Sequence, residues 1–214
     1  MILESLHEHD KKRMRLRFDT GEELLLYKGE LRKLRLAEGD ELPEETYQSL
    51  LQEVLIPRAK RRVLYYLKSG DRSEAEIRRK LREGRYPEEA VEESIRFLKQ
   101  HRLVDDRRYA EELVYVKTGS CSRKELAFKL RQKGISDAVI KESVEAVGRE
   151  TEYETCRKLL SKRLSGKSVP DPELAETPEE RELLGKEKQK LYAWLLRKGF
   201  PYDAAEYAMN HIGQ

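Results

Sequence analysis

Two adjacent carboxylates, Asp105 and Asp106, stand immediately before the run RRYAEELVYV, and such a pair can hold a divalent ion or share acid and base duties. The same position suits a second use, because carboxylates at the start of a helix accept its free amide hydrogens and oppose its dipole. Helix capping is the reading adopted. Cys121 and Cys156 are the two cysteines, and neither has a further ligand at zinc spacing. His7 and His9 form only an HxH, in a segment expected to be a solvated terminal tail. No GxxxxGK[ST] or GxGxxG phosphate loop, HExxH, CxxC or GxSxG occurs. The chain is therefore expected to be no enzyme, with no cofactor, no metal and no catalytic residue.

What remains is chemistry of contact. Tyr65, Tyr66, Tyr86, Tyr109 and Tyr115 lie among Arg and Lys, the mixture that single-stranded nucleic-acid binders use for stacking and phosphate contact. Tyr66 and Tyr115 recur at a fixed offset, so packing positions are expected for those two. The net charge is only +3, but the charges are segregated. Residues 38–56 carry six acids and no Lys or Arg, 58–85 carry eleven bases against four acids, and 157–167 carry five bases and no acid. Segregation of this kind fits an electrostatic contact with an acidic partner, nucleic acid or protein.

The elements that would position these side chains are helices in a repeat. SEAEIRRKLREG, Ser73–Gly84, returns 49 residues later as SRKELAFKLRQKG, and the likeness extends outward: Leu64 meets Leu113, Tyr66 meets Tyr115, Val91 meets Ile140 and Ile95 meets Val144. A third copy follows at an offset of 65 from the second, where Leu126, Leu130, Gly134, Ile135 and Val144 match Leu191, Leu195, Gly199, Phe200 and Met209. Its extra length is assigned to a loop at 165–177. Each copy reads as three helices. Ser73 with Glu76, Ser122 with Glu125, and Thr177 with Glu180 form capping boxes, Ser136 caps a further helix, and Pro87 suits a first helical position.

Residues 1–56 differ. MRLRFD and EELLLY flank Thr20–Gly21 and alternate as two short strands around a tight turn, with helical patterns at Glu30–Leu36 and Pro43–Ile56 to cover them. Pro57 predicts a kink or boundary. The expected architecture is mainly α: an elongated array of three tandem three-helix repeats with a small N-terminal β-hairpin and helix extension. The domain limits are 1–56 for the extension, 57–104 for repeat 1, 105–148 for repeat 2, and 149–214 for repeat 3 with its inserted loop. With 40% of residues charged and 38% hydrophobic, a thin core shared between neighbouring repeats is the arrangement the composition suits. No secretory signal and no run of about 18 apolar residues is present, so a soluble, cytoplasmic protein without a membrane partner is expected.

LVDDRRYAEELV, the paired EIRRKLREGRYPEEAVEESI and ELAFKLRQKGISDAVIKESV, and the late LRKGFPYDAA resemble the RecX regulatory proteins of bacteria. The resemblance covers about residues 57–211; the 165–177 insertion departs from it, as does Tyr86–Pro87, where the second copy has Ile135–Ser136. It implies a non-enzymatic, monomeric modulator of the RecA recombinase that binds in the groove of the RecA filament on DNA and inhibits its recombinase, ATPase and coprotease activities. DNA, single- or double-stranded, is a further expected partner, and a sequence-nonspecific DNA-binding protein is the alternative. Charge nominates the contact surface: Arg58, Lys60, Arg61, Arg62, Arg78, Arg79, Arg82, Arg123, Lys124, Lys129 and Arg131. Within that set Arg82 and Arg131 recur in register, and a salt bridge between helices is their other reading.

Overall fold

The alternation in MRLRFD and EELLLY does form a hairpin, β2 (Arg13–Phe18) with β3 (Glu23–Tyr27), in a computed structural model that describes residues 1–212. Leu16 pairs with Leu24 and Met14 with Leu26, which places Leu16, Phe18, Leu24 and Leu26 together in full burial. A third strand, β1 (Leu3–Glu8), joins the outer edge of β2 to give an antiparallel sheet in the order β1-β2-β3. The terminal segment is thus no solvated tail. His7 is a strand residue opposite Arg15, held by the backbone ladder although its side chain is exposed.

Helix α1 (Lys28–Leu34) follows β3 directly, and α2 (Glu44–Leu50) passes through a π turn at Leu51–Leu55 into α3 (Ile56–Leu67). Helical structure therefore continues through Pro57. A proline ring presses on the carbonyl four residues back and offers no N–H, and the wider turn sits where that carbonyl lies; Ile56 N–H reaches Leu51 O instead. Helices α4 (Glu74–Glu83) and α5 (Glu88–Gln100) complete the first set of three. Ser73 closes its capping box with Glu76, and Pro87 occupies the N-cap of α5 rather than its first turn. One core runs from Leu3 and Phe18 through Leu55 and Val63 to Ile77, Leu81, Ile95 and Leu98, so the sheet and the first three-helix set share their interior. This is the first of two compact units, Met1–Asp105.

The second unit begins at Asp106. Helices α6 (Asp106–Lys117), α7 (Arg123–Gln132) and α8 (Asp137–Glu145) enclose Ala110, Val114, Leu126, Leu130, Ile140 and Val144. Helices α9 (Arg149–Leu164), α10 (Pro178–Arg197) and α11 (Tyr202–Asn210) enclose Cys156, Leu160, Leu195, Phe200 and Met209. Between α9 and α10 the 165–177 segment holds only a short 3-10 turn at Pro172–Leu174. Thr177 accepts the Glu180 amide at the start of α10, but the Glu180 carboxylate takes the Glu176 amide and so does not close the expected box; Ser136 stands at the N-cap of α8 without a side-chain cap bond. The molecule is mainly helical, with three-helix sets and one small sheet, and no described helix is long and apolar enough to cross a membrane.

The repeat is clearest in a turn. After α4, α7 and α10 the amides of Tyr86, Ile135 and Phe200 donate to Leu81 O, Leu130 O and Leu195 O at 3.2, 3.2 and 3.3 Å. Each closes a Schellman motif whose left-handed residue is Arg85, Gly134 or Gly199. The offsets of 49 and 65 hold through these turns. They fail in the first helices, where the buried pairs are Ala59 with Ala110 and Val63 with Val114, an offset of 51. The connection to the second helix is two residues tighter in the second copy, so Tyr66, which is half-buried, and Tyr115 do not stand at equivalent positions. Tyr115 is 84% exposed and is no packing position.

Candidate partner-binding surface

The nominated cations differ sharply in what they already hold. On α4, Arg78 lies among three carboxylates of its own unit: Glu74 at 2.8 Å, Glu92 at 2.5 Å and Glu88 at 3.8 Å. The hydrogen bonds it donates to Glu92 lead in raising the guanidinium pKa above its ordinary value, against the opposing effect of burial. Arg82 meets Glu88 at 2.6 Å and Arg131 meets Asp137 at 2.8 Å, each joining the second helix of a set to the third. Lys129 is paired with Glu125 at 2.8 Å, and Arg79 approaches Glu83 at 3.7 Å. That carboxylate leaves the Ser122 box half closed: Ser122 accepts the Glu125 amide, while Glu125 turns to Lys129.

Arg123 and Lys124 open α7, where the structure adds a residue that sequence reasoning missed. Glu152, on α9 and 5% exposed, accepts the Arg123 amide at 3.0 Å and lies 3.7 Å from its guanidinium. One of three alternating acids in RETEYETC, Glu152 gives no sign in the sequence of capping another helix. Lys124 packs against the α10–α11 turn and lines a shallow cleft with Phe128 and Leu196, which are 56% and 43% exposed.

The cations of α3 are arranged differently. Arg58 is a strut: it donates to both oxygens of Glu30 at 2.8 and 3.1 Å and to Leu25 O at 2.8 Å. Its guanidinium also lies over the rings of Tyr27 and Tyr86, 5.2 and 5.8 Å from their centroids. Burial pushes the Tyr86 phenol up, opposed by Arg58 and Arg62. Lys60 sits over Phe97 at 5.3 Å, and Arg62 bonds the Tyr66 hydroxyl at 3.0 Å while covering its ring. Arg61 is exposed and makes no ion pair or side-chain hydrogen bond among the described residues.

Between β3, α3 and the α4–α5 turn these side chains line a groove of about 350 Å³ that contains Arg13, Tyr27, Arg58, Arg61, Arg62, Tyr65 and Tyr86 and no acidic residue. Three of the nominated cations are brought together here, and two tyrosines of the basic stretch with them. Arg13 and Tyr27 are additions from the hairpin; nothing in their local pattern marks them, because the sheet alone carries them to α3. Helix α6 begins at Asp106, and no group of three or more potential metal ligands exists among the described residues.

Comparison with known proteins places three family models along the chain in order: "RecX, first three-helix domain" at residues 59–98, "RecX, second three-helix domain" at 105–144, and "RecX, third three-helix domain" at 181–209. A protein of Clostridioides difficile named Regulatory protein RecX is 27% identical over 191 residues, covering 88% of this chain and 84% of its own. The crystal structure of a regulatory protein RecX superimposes with a TM-score of 0.64 at 26% identity, over 99% of this chain and 100% of the other. The crystal structure of RecX from Lactobacillus salivarius, at 24% identity and a TM-score of 0.58, matches the fold over 73% of this chain and 96% of its own.

Proposed function

The chain belongs to the RecX family, and from that premise we propose that it regulates RecA, negatively, by binding the RecA filament on DNA as a monomer. Binding in the filament groove lowers recombinase, ATPase and coprotease activity together in this reading, and the protein acts by contact and not by catalysis. The observation that carries it is the ordered match of three helical domains to the family. Several helical sets, each presenting cations, also suit a partner that repeats along a filament, because many weak contacts then add to a strong one. Among the nominated residues, Lys60, Arg61, Arg62 and Lys124 are proposed as the contact cations, since none of them is engaged by a carboxylate among the described residues. The test is RecA's ATP turnover on single-stranded DNA with this protein added at stoichiometric concentration. Turnover is expected to fall; an unchanged rate removes the inhibitory reading, and ATP hydrolysis by the purified protein alone removes the non-catalytic one.

A further inference from the structure

Four residues of α3, Arg58, Arg61, Arg62 and Tyr65, are spaced i, i+3, i+4 and i+7 and so share the helix face that walls the groove. Their charges are not equal. Arg58 is neutralised by Glu30, and Arg13 by Asp10 at 2.6 Å, so both serve the fold. Arg61 and Arg62 face no carboxylate within 4.0 Å among the described residues, and they flank a Tyr65 ring that is 67% exposed. Below them the Arg58 guanidinium fixes the rings of Tyr27 and Tyr86 at once. Gly84 keeps that floor open, since a Cβ there would stand 3.0 Å from the Tyr86 ring.

A ligand for this groove must answer two features together. A simple carboxylate or an acidic peptide would meet Arg61 and Arg62 but leave the aromatic surface without a partner. An apolar molecule would cover the rings and strip water from two cations, which is costly. A planar ring joined to a phosphate satisfies both, by stacking on tyrosine and by charge-assisted hydrogen bonds to guanidinium groups. The volume, about 350 Å³, is within the range of small-molecule sites. We propose that the groove between β3 and α3 is a binding site for a nucleotide unit, with the base stacked on Tyr65 and the phosphate held by Arg61 and Arg62. The unit is supplied either by a free nucleotide or by a single strand passing through the open groove. The site does not rest on the regulation of RecA, and its test contains no RecA.

The experiment titrates the full chain with a short fluorescent oligothymidylate, with AMP, and with inorganic phosphate as the charge-only probe. The tyrosine ring resonances are followed by NMR and binding by anisotropy over a salt series. Shifts are expected for Tyr27, Tyr65 and Tyr86 with either the strand or AMP, and whichever ligand produces them identifies the source. Tyr65→Ala should weaken binding about tenfold, the scale of one lost stacked base. Replacing both Arg61 and Arg62 by Ala should flatten the dependence of log K on log salt by about 0.7, the share of one neutralised phosphate on a single strand. Circular dichroism confirms that these exposed substitutions leave the helices intact. Wild-type affinity in Tyr65→Ala, inorganic phosphate alone reproducing the ring shifts, ring shifts confined to tyrosines outside the groove, or no binding of either nucleotide form would each overturn the proposal.

Discussion

Ser122 Oγ donates to the carbonyl oxygen of Lys198 at 2.7 Å while accepting the amide of Glu125 at 3.1 Å. One hydroxyl thus starts α7 and serves the C-terminal end of α10, and with Glu152 on the Arg123 amide it ties the last two three-helix sets together. Ser122→Ala should lower stability by about 1–2 kcal/mol, the upper range for an N-cap, because a second bond goes with the first. Ser73→Ala, which removes the N-cap bond to the Glu76 amide at the start of α4, should cost about 1 kcal/mol. Urea unfolding midpoints of the two variants make the comparison.

Gly199 stands beside that contact. Its φ of +86° matches the +83° of Gly119, so alanine meets the same backbone strain at both, about 1–2 kcal/mol. A Cβ at Gly199 would also lie 2.7 Å from Ser122 Oγ and 3.0 Å from Lys124 Cβ, whereas at Gly119 nothing lies within 4 Å. Gly199→Ala is therefore expected to destabilise more than Gly119→Ala, and equal melting temperatures would refute the close approach.

Arg78 and Arg61 should separate structure from contact. Arg78→Glu sets a fourth carboxylate among Glu74, Glu88 and Glu92 and is expected to lower the melting temperature of the first unit clearly. Arg61→Glu meets no such cluster and should leave melting unchanged while weakening RecA inhibition. A stable Arg78→Glu variant would show that the ion cluster contributes little.

The same cluster sets a pH dependence. The Glu74 carboxyl is raised by burial but lowered further by hydrogen bonds from Lys99 and Arg78, for a net fall below 4.5; Arg78 lowers Glu92, and Arg82 lowers Glu88. Folded-state values below unfolded ones mean stability that is complete above pH 4.5 and is lost as pH falls through the lowered values. Acid unfolding of the Arg78→Ala variant should accordingly begin at higher pH than that of the wild type, read by ellipticity.

Cys156 is fully buried, and burial, with the nearby Glu152 adding to it, pushes its thiol up to about 12. The thiolate is the reactive form, so native protein at pH 8 is expected to leave Cys156 unalkylated by iodoacetamide over the time in which urea-unfolded protein reacts fully. Peptide mass spectrometry reads the outcome.

The sequence announces features whose cause is local. Ser73 is followed by the glutamate that closes its box, Thr177 stands where α10 starts, and the hairpin is marked by period-two alternation around Gly21. β1 is invisible for a physical reason: as an edge strand it buries Leu3 fully and little else, so LESLHE carries no alternation. The roles of the cations are equally hidden. Arg78 reads as a surface charge because its partner Glu92 is 14 residues away on the next helix, and Arg58 reads like Arg61 although 33 residues of chain separate it from Leu25, whose carbonyl it holds. Charge is a property of the residue, whereas availability is a property of the packing.

The 165–177 excursion offers a use of a different sort. Both of its neighbours are secured elsewhere, α9 by Glu152 and by its packing on α11, and α10 by Lys198. Lengthening such a loop costs little, about 0.6 kcal/mol for each doubling. Its exposed first residues, Ser165–Ser168, are thus the place to splice a fluorescent reporter or an affinity handle into this protein for watching the molecule at work in living cells.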